Sequence, residues 1–232
     1  MLTAEAWAVR NAIGIPAKVA YWSEVFEGNP NVSRTEGFPL QNRPGHRPYH
    51  LGAVRTQHGN KAIYNPNFRA VPGELYGVTP RLHGKIVIEP NFKPDFFADN
   101  KDWGWERYQA LVETVGPGEF LQLGAPGVRR LTGVEQVKTA FFRAALDWLA
   151  GARLFVGGDG GLHHAAAAMR LPAVVIFGGL VHPRTLGYDF HINLASEDAG
   201  CGHMFPCQHC RKAMEAITVE QVAAAIREIS CR

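Results

Sequence analysis

Residues 155–168 read FVGGDGGLHHAAAA, in which an apolar strand end leads through four glycines and Asp159 into a run of strong helix formers. Glycines at such a junction allow a tight turn and let a ligand approach the backbone closely. The free N–H groups and the dipole of the following helix favour an anion such as a diphosphate. Asp159 would either contact that ligand or only cap the helix, and this stretch alone leaves both interpretations open.

Two common nucleotide-binding loops are excluded by the spacing of these glycines. Residues 157, 158, 160 and 161 do not match the dinucleotide pattern GxGxxG, and no acidic residue follows about 20 positions later. A P-loop would need a Gly-Lys-Ser/Thr sequence, which this stretch lacks. Any anion would therefore be bound by a loop of another kind.

From residue 85 onward, short apolar runs alternate with helical patterns. We predict strands in KIVIEP, EFLQLG, VEQVK, RLFVGG and AVVIFGG, and helices over residues 103–115, 139–150, 162–169 and 219–229. This alternation is typical of an α/β fold with a parallel sheet covered on both faces. Such sheets bind ligands outside the carboxyl ends of their strands, which is where FVGGDGGLHHAAAA lies.

Before residue 85 the organisation is different. Residues 39–80 are rich in Pro, Gly, Asn and His and show little periodicity, which is typical of a segment that is either functional or partly disordered. Upstream we expect a helix over residues 4–13, a strand over 18–22 and a turn at GNPN. We place a domain boundary between residues 84 and 85.

The overall composition limits the partners and the compartment. The chain has 232 residues, 46% of them hydrophobic, and a net charge of only +3, so no strong electrostatic footprint for nucleic acid is expected. The sequence has no apolar run of the roughly 18 residues that a membrane span needs, and its first ten residues do not resemble a secretory signal. We expect a cytoplasmic protein with at most a weak attraction to anionic lipid surfaces or phosphorylated ligands.

All four cysteines lie within residues 201–231, which is poor placement for disulfides that would staple a whole secreted domain. The segment CGHMFPCQHC at 201–210 contains enough ligands for a tetrahedral zinc site if the loop folds back on itself. A Cys-x-x-Cys pair also suits a redox role or plain packing. The candidate metal set is Cys201, His203, Cys207 and Cys210, although the preferred expectation is that the protein binds no metal or cofactor.

The segment DGGLHHAAAAMRLPAVVIFGG at 159–179 resembles glycosyltransferase family 9, the ADP-heptose:lipopolysaccharide heptosyltransferase-like proteins. In that family an Asp-Ser/Thr-Gly-x-x-His-x-Ala-Ala-Ala run leads through a Pro into a strand that ends in Phe-Gly. Asp159, Gly161 and His164 match the pattern, and Gly160 replaces the Ser/Thr. This replacement removes a hydroxyl group that would be expected to help hold the donor diphosphate.

Further segments resemble the same family in the expected order. KIVIEPN and NKDWGWERYQALVE are similar to its phosphate-binding strand and helix start, in which Lys101 and Trp103 match. VKTAFFRAALDWLAGARLFVGGD, FGGLVHPRTLGYDFHINL and the cysteine-bearing end with AITVEQV are similar to later family segments. FEGNPNV is similar to a loop of the family's N-terminal domain. The C-terminal resemblance covers about residues 85–230 and, as an ordered set, is more specific than any single motif.

The resemblance implies a GT-B-like fold, in which residues 85–232 form a Rossmann-like donor-nucleotide domain. Residues 1–84 would form a truncated or reduced N-terminal α/β domain on the acceptor side. The implied activity is inverting, metal-independent transfer of a heptose-like sugar from a nucleotide-diphosphate sugar to a saccharide or other hydroxyl acceptor. The resemblance also implies a role in lipopolysaccharide biosynthesis and a location in the cytoplasm. Peripheral association with the inner face of the cytoplasmic membrane is compatible with that location. The alternative is a non-catalytic sugar-nucleotide or nucleotide-binding module.

The family pattern also assigns roles to particular residues. Lys101 would neutralise the diphosphate, unless it is only a solvated lysine beside Asp102. Thr139 would contact the nucleotide or cap a helix, and His163 is the histidine better suited to a core or capping position. The expected catalytic base lies upstream of Met1, so the catalytic residues are unknown. The expected donor-binding set is Asn91, Lys101, Thr139, Asp159, Gly160, Gly161 and His164.

Three tryptophans, Trp103, Trp105 and Trp148, occur at helical spacing within amphipathic segments. We predict that they serve as core and domain-contact residues, because aromatic residues with this periodicity more often pack than stack on sugars.

Overall fold

The computed structural model describes residues 17–19, 28–30, 32–34, 54–58, 61–64, 67, 69–91, 98–124 and 127–231. The helix predicted over residues 4–13 lies outside these described residues. Within them, no helix is both long and apolar enough to cross a membrane.

Most of the described chain forms one six-stranded sheet in which every neighbouring pair of strands is parallel. The strand order is β10-β9-β8-β5-β6-β7, so the direction of strand addition reverses between β5 and β8. This order is that of a Rossmann-type doubly wound sheet, and the reversal is its topological switch point. The strands are β5 (Ile86–Glu89), β6 (Phe120–Gly124), β7 (Glu135–Lys138), β8 (Leu154–Gly158), β9 (Ala173–Gly178) and β10 (Ile192–Ala195).

Seven α-helices are described, and the longer ones cover the two faces of the sheet. Alternate residues of β5 point to opposite faces, since Ile86 and Ile88 join one buried cluster and Val87 joins the other. The first cluster also contains side chains of α2, α6 and α7, and the second contains side chains of α3 and α4. The helices are α1 (Ala98–Lys101), α2 (Trp105–Val115), α3 (Phe142–Ala150), α4 (Gly161–Ala168), α5 (Pro183–Leu186), α6 (Gln208–Ala216) and α7 (Val219–Ser230).

Four short strands precede this sheet. β1 (Ala17–Val19) pairs in parallel with β2 (Val32–Arg34), and β3 (Val54–His58) forms an antiparallel hairpin with β4 (Lys61–Tyr64). Residues 69–84 then run along the large sheet unit, where the N–H of Arg81 donates to Asp147 O at 2.9 Å. The domain boundary between residues 84 and 85 stays a prediction.

The α/β class and the five predicted strands from residue 85 onward are confirmed, and so are the helices near 103–115, 162–169 and 219–229. One boundary is wrong, because the helix expected from Thr139 begins at Phe142. The strand expected at 18–22 is found over Ala17–Val19, and the rest of it lies outside the described residues. The segment 39–80, which was given no secondary structure, contains the β3–β4 hairpin. The elements β10, α1, α5 and α6 were not predicted, because each is short or lies in a polar or cysteine-rich segment with weak apolar periodicity.

Candidate functional site

The carboxyl ends of β5 and β8 lie side by side at the switch point, where Glu89 pairs in register with Gly157. Asp159 follows β8 directly, and the chain after β5 leads to α1, which ends at Lys101. Crevices at this place in doubly wound sheets are the usual ligand sites. The topology therefore brings together two segments that lie almost 60 residues apart in the sequence.

An ion pair between Lys101 and Asp159 forms the centre of this crevice. The Lys101 Nζ lies 2.9 Å from Asp159 Oδ2 and 3.2 Å from the Asp159 backbone oxygen. The Asp159 side chain is only 4% exposed, whereas that of Lys101 is 25% exposed. Lys101 is therefore not the solvated lysine beside Asp102 that the alternative interpretation allowed, since Asp102 instead accepts a hydrogen bond from the Gly104 N–H at 2.8 Å.

Asp159 stays ionised chiefly because of the Lys101 ammonium. Burial alone would raise the pKa of this carboxyl group. The ammonium of Lys101 opposes that effect, with further contributions from His163 and His164, and together they lower the pKa of Asp159 well below its usual range. The crevice thus holds a fixed carboxylate and an ammonium whose third N–H can face a ligand.

The capping interpretation of Asp159 is wrong. The N-cap residue of α4 is Gly160, which has no side chain to cap the helix, and the described hydrogen bonds include none from the first turn to Asp159. The N–H groups of that turn have no intrahelical acceptors, which leaves them able to bind an anion. Gly160 itself has extended backbone angles, and a Cβ added there would meet only the Gly158 oxygen at 3.9 Å.

Two adjacent histidines of α4 face the same carboxylate. The Nδ1 of His163 and the Nε2 of His164 lie 3.6 Å and 3.8 Å from Asp159 Oδ1. His163 is fully buried, and among the described residues neither of its ring nitrogens has a hydrogen-bond partner. His164 remains 22% exposed and its Nδ1 lies 2.8 Å from the hydroxyl of Tyr188. His163 thus occupies the core position expected for it, and His164 borders the crevice.

Tyr188 is a member of this site that the sequence analysis missed. It is buried, its ring packs at 5.1 Å from that of His163, and its hydroxyl holds His164 in orientation. Burial, followed by the negative charge of Asp159, raises its pKa above the ordinary range for tyrosine. No local motif marks Tyr188, because it comes from a loop 24 residues after His164.

Glu89 is a second missed residue, at the end of β5. Its carboxyl group is enclosed although the residue as a whole is partly exposed, and burial raises its pKa to about 8 against the opposing hydrogen bond from the Asn91 N–H. A carboxyl group with this pKa is largely protonated at neutral pH and can donate as well as accept a proton. The signal available in the sequence was an acid that closes an apolar strand at the carboxyl end.

Asn91 and Thr139 lie at the same edge of the sheet but are not in contact with Asp159. Asn91 follows β5, and its side-chain amide lies 3.5 Å from the Arg129 oxygen. Thr139 follows the edge strand β7, and its N–H donates to Gly124 O at 2.9 Å. Because α3 begins only at Phe142, Thr139 is not its N-cap, and that part of the prediction is wrong.

The cysteine segment folds next to this site, but not with the predicted ligands. The Sγ atoms of Cys201 and Cys207 are 3.7 Å apart, and Cys210 lies close to His209. The ring of His203 instead contacts the Phe205 backbone oxygen at 3.1 Å. The group whose ligand atoms lie within 4.8 Å of one another is Cys201, His209 and Cys210, which includes His209 and not His203. Cys207 lies outside that group but adjoins it through Cys201.

The tryptophans are placed largely as predicted. Trp103 is fully buried, and its Nε1–H donates to Ile217 O at 2.7 Å. Trp105 and Trp148 are partly buried beneath the guanidinium groups of Arg129 and Arg81, at 4.3 Å and 5.2 Å.

Comparison with known proteins supports the resemblance found in the sequence. Residues 138–217 match the family model of glycosyltransferase family 9 (heptosyltransferase). This segment contains β8, α4, Asp159 and the cysteine loop. No protein of curated function matches the chain in sequence.

Solved structures share the fold. The dodecameric iron-containing heptosyltransferase TibC from enterotoxigenic E. coli H10407, solved with ADP-D-beta-D-heptose, superimposes with a TM-score of 0.53 at 20% identity. The alignment covers 70% of this chain and 49% of that protein. The ADP-heptose lps heptosyltransferase II of E. coli gives a TM-score of 0.48 at 17% identity, with 67% and 47% coverage. The chain thus spans about half the length of these proteins, and it shares the α/β fold of TibC.

Proposed function

We propose that the switch-point crevice binds the diphosphate of a sugar nucleotide and that the protein is a glycosyltransferase of the family 9 type. The donor would be a nucleotide-diphosphate sugar with a heptose-like sugar, and the acceptor a hydroxyl group of a saccharide, of the lipopolysaccharide kind by resemblance. The family match over residues 138–217 and the ADP-heptose bound by TibC support this proposal.

The observation that carries the proposal is the Lys101–Asp159 pair beside the uncapped start of α4. A diphosphate placed there would meet the Lys101 ammonium and the N–H groups of Gly161 and the following residues. Asp159 would hold the lysine in place, and its free lone pairs would accept from donor hydroxyl groups. His164, oriented by Tyr188, would border the same ligand.

Sugar transfer requires that the bond between the anomeric carbon and the diphosphate breaks while the acceptor oxygen attacks. The leaving diphosphate gains negative charge, which Lys101 and the helix N-terminus would stabilise. The acceptor oxygen would attack from the face opposite the leaving diphosphate, which inverts the anomeric centre, and its proton would pass to a base on that side. In this proposal no metal ion assists the diphosphate, because the ammonium beside Asp159 supplies the positive charge.

Nucleotide binding is the first test. We expect ADP to bind in calorimetric titrations and the Lys101→Met variant to bind at least tenfold more weakly. The Lys85→Met variant is the matched control, because Lys85 pairs with Glu135 at 2.7 Å near the opposite ends of the strands. The double variant Lys101→Met/Asp159→Asn removes both charges and should still bind weakly. Equal ADP affinity in all variants, or no binding at millimolar ADP, would contradict the proposed site.

A transfer assay separates the enzyme from the binding-only alternative. We expect ADP release from ADP-heptose to depend on a saccharide acceptor and to fall in the Asp159→Asn variant. ADP binding without acceptor-dependent release would instead favour the non-catalytic module.

A further inference from the structure

Three cysteines and one histidine meet in the loop between β10 and α6 and in the first turn of α6. The ligand atoms of Cys201, His209 and Cys210 all lie within 4.8 Å of one another. The Sγ of Cys207 lies 3.7 Å from that of Cys201. The fourth cysteine, Cys231, ends the last helix and is exposed.

The spacing of the sulfur atoms favours a metal site over a disulfide. A disulfide requires an S–S distance of about 2.05 Å, whereas thiolates about 2.3 Å from one tetrahedral ion lie about 3.8 Å apart. The observed 3.7 Å between the Cys201 and Cys207 sulfurs matches the second arrangement. All four cysteines are free thiols in this structure.

The orientation of His209 points to the same conclusion. Its Nε2 lies 2.8 Å from Asp198 Oδ2, and its Nδ1 faces the cysteine cluster, 4.0 Å from Cys210 Sγ. A histidine that ligates a metal commonly donates its other ring N–H to a carboxylate, which fixes its tautomer and orientation. Asp198 therefore stands where such a carboxylate is expected.

The backbone around the cluster is built to hold it. The N–H of Cys201 donates to Gly179 O at 3.0 Å. A side chain at Gly179 would collide with the His209 ring, because an added Cβ would lie 3.0 Å from its Cε1. The buried Asn100 fixes the intervening loop, since its amide bonds the oxygens of His203 and Phe205 at 2.7 Å and the Cys207 N–H at 2.9 Å.

We propose that Cys201, Cys207, His209 and Cys210 form a tetrahedral site for one divalent transition-metal ion. Three thiolates and one imidazole are the donor set of structural zinc sites, so Zn²⁺ is the ion of choice. Four protein ligands leave no open coordination position, so the site is structural. Its ligands are distinct from the residues of the proposed nucleotide site, because none of the four contacts Asp159 or Lys101 in the described contacts.

Metal analysis and Co²⁺ substitution of the full chain test this site. We expect close to one equivalent of bound Zn²⁺ after purification under reducing conditions and dialysis. Replacement by Co²⁺ should give the visible absorption bands of a tetrahedral thiolate complex. Cys207→Ser and His209→Ala should each lower the retained metal at least tenfold, whereas His209→Cys should keep it and shift the Co²⁺ bands.

Two control variants make the assignment specific. Cys231→Ser removes a thiol and His203→Ala removes an imidazole, both outside the four ligands, and each should retain the metal and its spectrum. Loss of metal in His203→Ala but not in His209→Ala would overturn the ligand assignment. Less than a tenth of an equivalent in the intact protein after incubation with Zn²⁺, or a Cys201–Cys207 disulfide found under the same reducing conditions, would overturn the site itself.

Discussion

Replacing Lys101 with methionine should destabilise the protein far more than loss of a surface charge would. The Asp159 carboxylate is only 4% exposed, and the substitution removes the ammonium that lies 2.9 Å from it. Removing one partner of a buried ion pair typically costs about 3–5 kcal/mol. Because Lys101 is itself 25% exposed, we expect the lower end, about 3 kcal/mol of unfolding free energy at neutral pH.

The loss of unfolding free energy should depend on pH, because Asp159 is protonated at low pH and ionised at higher pH. In the wild type the pKa of Asp159 is lower in the folded state than in the unfolded state. Ionised Asp159 therefore stabilises the folded protein above the unfolded-state pKa near 4, and this contribution is lost as the pH falls through the folded-state pKa. Without Lys101, burial would raise the pKa, and the carboxylate would oppose folding as the pH rises above about 4. The difference in stability between wild type and variant should therefore grow from about pH 4 to pH 7.

Urea unfolding at a series of pH values measures this difference. The Lys85→Met variant serves as the control, because its exposed pair with Glu135 should contribute less than about 1 kcal/mol. Adding Asp159→Asn to Lys101→Met should recover at least half of the loss, since no charge then remains buried. A loss that is the same at about pH 4 and pH 7, or no larger than that of Lys85→Met, would refute the reasoning.

Three further predictions concern glycines and a histidine. Gly160→Ser should fit its extended backbone and raise ADP affinity several-fold in calorimetry, because the hydroxyl can cap α4 and contact a phosphate; unchanged affinity would count against a ligand at this loop. Gly179→Ala should lower the unfolding free energy by about 1–3 kcal/mol through its clash with His209, whereas Gly118→Ala, with nothing within 4 Å, should change it little in the same urea titrations. Burial, followed by the charge of His163, lowers the pKa of His191 to about 4. As the pH falls from about 6.5 to about 4, His191 is therefore protonated in the unfolded state but not in the folded state, and the unfolding free energy should decrease. His191→Gln should remove up to about 3 kcal/mol of that acid sensitivity, and an unchanged slope of stability against pH would contradict it.

The sequence was sufficient for β5 to β9 and for the helices α2, α3, α4 and α7, because their residues repeat with the period of the element they form. The run Ile86, Val87, Ile88 predicts a strand buried on both faces, and that is what β5 is. The strand order could not be obtained in this way, since it depends on which strands pair across long crossovers.

The site was predictable only where residues lie next to each other in the chain or match a family pattern. Asp159 was a candidate from its place before α4, whereas Lys101 entered the prediction through the resemblance, because no local rule connects residues that far apart. The choice between His203 and His209 depends on Asn100, which lies about 100 residues earlier and binds the oxygen of His203. Thr139 looked like a helix N-cap because its residue type suits that position, yet α3 begins only at Phe142 and its N-cap is Phe141.

Two neighbouring residues of the short helix α1 contact two different sites. Asn100 holds the cysteine loop, and Lys101 holds Asp159 at the switch point. Thermodynamic linkage then applies to the pair, because any ligand that restrains α1 at one of its residues lowers the entropy cost of a ligand at the other. We expect the coupling to be reciprocal, so that a nucleotide in the crevice tightens metal binding to the loop by the same free energy with which the metal tightens nucleotide binding.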